Sequence, residues 1–148
     1  MNLISVLFVA LYINLTPAVW LTDFDQAKNE AATNQKYILL NFSGSDWCTP
    51  CIKMKKTIFL SEEFENYANE NLILLHADFP RLSKNKLDDK QTAHNEKLAE
   101  LYNSKGTFPL TLLLDAEGNV IKKWEGLPAL TPAEFVTEIT NAVNAAKK

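Results

Sequence analysis

The sequence predicts an α/β domain, and three observations carry that prediction. Helical and strand-like patterns alternate along the chain, the strand-like runs are short and largely apolar, and the last two of them flank a hairpin signal. From Thr22, a candidate N-cap, Phe24, Ala27 and Ala31 recur at helical spacing as far as Asn34. Tyr37 to Phe42 is a nearly continuous apolar run of strand length, the pattern of a strand covered on both faces of a sheet. Ser43-Gly44-Ser45-Asp46 breaks that run and leads into Trp47-Cys48-Thr49-Pro50-Cys51. Behind Cys51, helical character continues through Ile52, Lys55, Ile58 and Phe59, and Ser61 caps a further helical turn holding Phe64, Tyr67 and Ala68.

Leu72 to Ala77 is a second apolar strand. Phe79 to Lys90 then turns charged around Pro80, with Arg81, Lys84, Lys86, Asp88 and Asp89, and reads as a solvated loop. Helical spacing returns from Glu96 to Tyr102, and Gly106 is placed to terminate it. Leu110 to Leu114 and Val120 to Trp124 enclose the Asp115 to Asn119 turn. Thr131-Pro132-Ala133-Glu134 combines an N-cap, a proline at the first helical position and the acid of a capping box, opening a helix to Ala146. The predicted order is α-β-α-β-α-β-β-α, with no internal repeat or low-complexity segment.

At 148 residues, 47% of them hydrophobic, the chain suits one domain with a core that needs no cross-link. A net charge of −3 with interspersed signs gives no basic face, which argues against nucleic acid as a partner. Met1 to Trp20 carries no charged side chain, runs apolar from Leu3 to Leu15 and offers Thr16-Pro17-Ala18 before Asp23. Residues 1–18 therefore read as a secretory signal with cleavage near Ala18, leaving a domain over 19–148. Left uncleaved, the segment through Leu21 has the length of a membrane anchor. Either way the expected location is exported, periplasmic or otherwise extracytoplasmic.

The two cysteines are the only ones in the chain, and they sit three positions apart between a strand and a helix. One helical turn brings such sulfurs within disulfide range. The first lies where unpaired N–H groups and the helix dipole favour thiolate over thiol. A disulfide closing so short a loop constrains little of the unfolded chain, so redox chemistry explains the pair better than stability does. Cys48 is the expected attacking sulfur and Cys51 the resolving one. The dithiol is itself the redox group, and no separate cofactor is expected. A metal module is the principal alternative, with Cys48, Cys51, His76 and His94 as its soft or borderline ligands, but their spacing fits no finger or ribbon. His76 reads as a half-buried strand histidine and His94 as a solvated one. A binding module with an incidental dithiol is the other alternative.

The element order, Trp-Cys-x-x-Cys after the first buried strand and Thr107-Phe108-Pro109 ahead of the third together resemble the thioredoxin superfamily from about Asp23 onward. Phe42 to Cys48 and Ala77-Asp78-Phe79-Pro80 are similar to exported bacterial thioredoxin-like proteins and to the C-terminal domain of the periplasmic disulfide-reductase transporter. The resemblance implies a thioredoxin fold with a central mixed sheet of four to five strands flanked by helices, and a thiol–disulfide oxidoreductase. It implies that Pro109 is a cis-proline beside the cysteines and that the backbone of Phe108 pairs with a substrate chain. The resemblance also implies that Trp47 shields the motif and that Thr49-Pro50, standing where thioredoxins carry Gly-Pro, tunes the thiolate.

One departure matters for mechanism. The family's buried aspartate falls at Asn41, which cannot accept and return a proton. Asp46, Asp78 and Lys53 are then candidates for a proton relay to Cys51. Within the fold, a reductase of disulfide-containing exported proteins is preferred over an isomerase or oxidase. A membrane reductase is the expected electron donor, and a monomer the expected state.

Overall fold

The computed structural model describes residues 16–147, so the export-signal reading, which rests mainly on residues 1–15, lies outside the described residues. Five strands form one sheet in the order β1-β3-β2-β4-β5: β1 (Trp20–Leu21), β2 (Tyr37–Ser43), β3 (Leu72–Asp78), β4 (Leu110–Leu114) and β5 (Val120–Glu125). β1, β3 and β2 run parallel, while β4 is antiparallel to both β2 and β5. The helices are α1 (Phe24–Asn34), α2 (Thr49–Met54), α3 (Glu62–Asn71), α4 (Asp89–Tyr102) and α5 (Pro132–Ala146). The expected mixed sheet is therefore present, at five strands.

Alternation along the strands sorts the core into two layers. Ile38, Leu40 and Phe42 of β2 meet Ile73, Leu75 and Ala77 of β3 and pack under α1 and α4, where Ala27, Ala31 and Leu98 are buried. Leu39, Leu74 and Leu113 face the other way, toward Met54, Phe64, Phe135 and Ile139 of α2, α3 and α5. Burying rings such as Phe42, Phe64 and Phe135 completely contributes about 1.5–3 kcal/mol each.

Several boundaries differ from the expected ones. Asp23 caps α1 in place of Thr22, its Oδ1 accepting from Gln26 N at 2.7 Å. The turn expected after Ser61 is a full helix, with the predicted serine cap in place. α4 starts seven residues before Glu96, because Asp88 accepts from Gln91 N at 2.7 Å and nucleates it inside the charged stretch. Between α2 and α3 the helix widens into a π turn over Lys55–Phe59, marked by Leu60 N donating to Lys55 O at 3.0 Å. At the C-terminal helix the capping box is present as read, Thr131 and Glu134 bonding reciprocally. Among the described residues no helix is long and apolar enough to cross a membrane.

Candidate functional site

β2 delivers the chain to the head of the cysteine helix. Gly44 turns it there, its carbonyl accepting from Cys48 N at 2.9 Å, and a Cβ at this position would overlap the Trp47 ring. Cys48 is the N-cap of α2, with extended backbone, and Pro50 stands in the first turn where its missing N–H costs nothing. Cys48 and Cys51 are joined as a disulfide with their Cα atoms 5.2 Å apart. Cys51 N donates to Cys48 Sγ at 3.3 Å. A backbone donor aimed at that sulfur, added to the helix dipole, favours its thiolate once the bond is reduced. Thr49 and Pro50 are exposed, while each cysteine is only 4% exposed, so exchange needs a shaped approach to the sulfurs.

An aromatic wall stands on one side of the pair. Trp47 meets Phe108 edge-on at 5.6 Å, Phe108 meets Phe79 at 5.5 Å, and Phe79 stacks on Phe42 at 6.5 Å. Trp47 Nε1 donates to Phe79 O at 2.7 Å, and the Arg81 guanidinium lies 3.6 Å from the Trp47 ring centre. The Phe108–Pro109 peptide bond is cis, and Pro109 is buried.

The carboxylates considered for proton transfer are engaged in holding this wall. Asp46 accepts from Arg81 N at 2.9 Å, from Leu82 N at 3.0 Å and from Asn85 Nδ2 at 3.0 Å. Those donors, the Arg81 amide first, hold its carboxyl below the usual aspartate value. Asp78 accepts from Ser45 N and Phe79 N, both at 2.9 Å, and from the Ser45 hydroxyl. Lys53 points to solvent from α2. Asn41 is buried, and its Nδ2 donates to Thr111 Oγ1 at 3.0 Å.

On the other side of the pair lies a cavity of about 540 Å³, bordered by Cys51, Asn41, His76, Trp20, Lys55 and Phe59. His76 is the half-buried strand histidine that the sequence predicts, and its place here is set by register: it is the partner of Asn41 across β2 and β3. His94 does something else again. Its Nε2 accepts from Phe24 N at 3.0 Å, joining α4 to the start of α1 across 70 residues of sequence. Reasoning from the sequence also missed Arg81 on Trp47. The signal available for it was a cation two residues beyond Phe79, in the segment already singled out.

The thioredoxin-like family matches residues 19–116 of this chain. The chain belongs to the thioredoxin-like family. It is 33% identical over 120 residues to the disulfide bond reductase DsbH of Chlamydia pneumoniae, a match covering 81% of this chain and 70% of that protein. A solved DsbH oxidoreductase, 30% identical, superposes at a TM-score of 0.81 over 97% of this chain and 94% of that one. The C-terminal domain of DsbD from Neisseria meningitidis in its oxidised form, 18% identical, shares the fold at a TM-score of 0.54 over 80% of this chain and 89% of that one. With its two cysteines paired at the head of the active-site helix, this thioredoxin-like protein is a thiol–disulfide oxidoreductase.

Proposed function

We propose that the protein is an exported disulfide reductase in which Cys48 attacks and Cys51 resolves. The observation that carries the assignment of roles to the two sulfurs is the Cys51 N–H directed at Cys48 Sγ across the first turn of α2. In the reduced protein that donor stabilises a Cys48 thiolate, which attacks one sulfur of a substrate disulfide. A mixed disulfide forms as the substrate's S–S bond breaks. Cys51 then attacks Cys48 Sγ, the substrate leaves with both sulfurs reduced, and the Cys48–Cys51 bond takes their place. A thiol donor must supply two electrons to reset it, and for an exported protein a membrane reductase suits that task.

The approach to Cys48 runs along Trp47 and the Phe108–Pro109 turn. An extended substrate segment pairing with the Phe108 backbone as a short added strand would bring its disulfide to the head of α2, with Trp47 giving an apolar surface. Such a substrate is a disulfide-containing exported protein. The reducing direction is supported by likeness to a protein named a disulfide bond reductase and by Thr49-Pro50, which is closer to Gly-Pro than to the histidine-containing dipeptides of strong oxidants.

Equilibrating the protein in graded glutathione buffers and trapping free thiols reads the potential of the pair. A value near about −270 mV supports the reductase, and one between about −180 and −120 mV moves the assignment to isomerase or oxidase.

A further inference from the structure

Reduction and resolution both require Cys51, at 4% exposure, to gain or lose a proton with little direct contact with bulk solvent. The position under the helix from which a side chain could serve it is filled by Asn41, whose amide does not titrate. Asn41 belongs to a row running across the sheet: it pairs with Thr111 of β4 on one side and with His76 of β3 on the other. The Thr111 end of the row is closed, since Thr111 is fully buried, accepts from Asn41 Nδ2 and has its hydroxyl on Met54 Sδ at 3.9 Å. The His76 end is open. His76, Asn41 and Cys51 all border the 540 Å³ cavity, which has room for several water molecules at about 30 Å³ each.

We infer that His76 is the proton relay of Cys51, acting through water in the cavity that both residues border. The inference rests on the reductase cycle proposed above. As Cys51 attacks, its thiol proton passes through cavity water to the imidazole and from there to solvent at the mouth of the cavity. The Cys51–Cys48 bond forms, the bond from Cys48 to the substrate breaks, and the electron pair leaves on the substrate sulfur, which takes a proton from solvent. When an incoming thiol later attacks Cys48 and breaks the Cys48–Cys51 bond, the Cys51 thiolate that leaves takes a proton the imidazole has drawn from solvent. His76 touches neither sulfur directly and is a positioning residue for the proton.

The electrostatic surroundings favour the neutral form of the imidazole. Burial pushes its pKa below the ordinary histidine value, Asp78 on its own strand opposes that shift, and Lys55 on the π turn adds to it. Lys56 on the π turn and Glu65 on α3 are the other charged groups bordering the cavity. From β1 the ring of Trp20 meets the imidazole edge-on at 6.0 Å and brings no charge. The contrast with His94 is direct: that ring accepts a backbone N–H and is committed to structure, while the His76 ring is presented to the cavity.

The test uses the reduced full chain and an aromatic disulfide whose released thiolate is coloured, followed by stopped flow from acid to neutral pH. The first phase reports attack by Cys48 and the second resolution by Cys51. The second phase of the wild type should show an inflection below the ordinary histidine value. In His76→Gln that inflection should vanish and the second phase at neutral pH should slow by about tenfold or more, with the first phase unchanged. His76→Glu should restore a titrating second phase with its inflection moved. Circular dichroism keeps a folding defect separate from lost relay, and a folded His76→Glu variant carries the test if His76→Gln is unstable. Second phases of equal rate and pH profile in wild type and folded variants would overturn the inference while leaving the reductase intact. Absence of any second phase in the wild type would instead overturn the cycle on which the inference rests.

Discussion

On the Trp47 side of the cysteine helix, four aromatic rings and the Asp46 carboxylate make fixed contacts, whereas on the Cys51 side the same helix borders an open cavity. The two sulfurs need different things from the protein. An attacking sulfur needs a firm surface that orients a substrate chain, and firmness comes from committed donors and acceptors, such as Asp46 with the 81–85 loop donors it accepts from. A resolving sulfur needs a path for a proton, and a path requires room. In the cycle proposed above the π turn would serve the second need, since Lys55, Lys56 and Phe59 on it border the cavity.

The comparison can be broken most severely on the filled side. Trp47→Ala removes the bond to Phe79 O, the edge contact with Phe108 and the Arg81 stack together. It should lower stability by about 2–3 kcal/mol in urea unfolding, the upper part of the ordinary range for one substitution. The histidines sharpen the contrast next. His94→Leu leaves Phe24 N without its acceptor and should cost about 1–2 kcal/mol, while His76→Gln should move the urea midpoint less, since it removes no comparable tie. Arg81→Ala removes one exposed cation–π contact and should cost about 0.5–1 kcal/mol, read from the same unfolding curves.

The smallest expected effect is local and depends on pH. The Asp46 carboxyl is held below its ordinary value, so its contribution to the loop is complete above about pH 4 and is lost as pH falls through the depressed pKa. Amides of Arg81 and Leu82 should lose hydrogen-exchange protection across that acid window, after correction for the intrinsic rate. Asp46→Asn should flatten the transition.

Much of this organisation is legible in the chain. The buried strands β2, β3 and β4 are written as apolar runs, and the α5 capping box is written residue by residue. β1 is not legible, because two residues at the end of an apolar stretch of sequence acquire strand geometry only by pairing Trp20 with Leu74, more than fifty positions away. The start of α4 was hidden by charge: Asp88 looks like one more solvated acid until its bond to Gln91 N is seen. The cysteines and their flanking Trp47 were legible at the site, since the motif is contiguous. The roles of Asp46 and Asp78 as ties, and of His76 as a neighbour of the cavity, depend on contacts or register across more than thirty residues, which local patterns do not carry.

The central claim is the division of labour between the two sulfurs, and trapping measures it directly. Reduced Cys51→Ser mixed with a disulfide-containing protein, then analysed by mass spectrometry after proteolysis, should accumulate a mixed disulfide through Cys48, while Cys48→Ser should accumulate none. Adducts formed equally by both variants, or by Cys51 alone, would contradict the account.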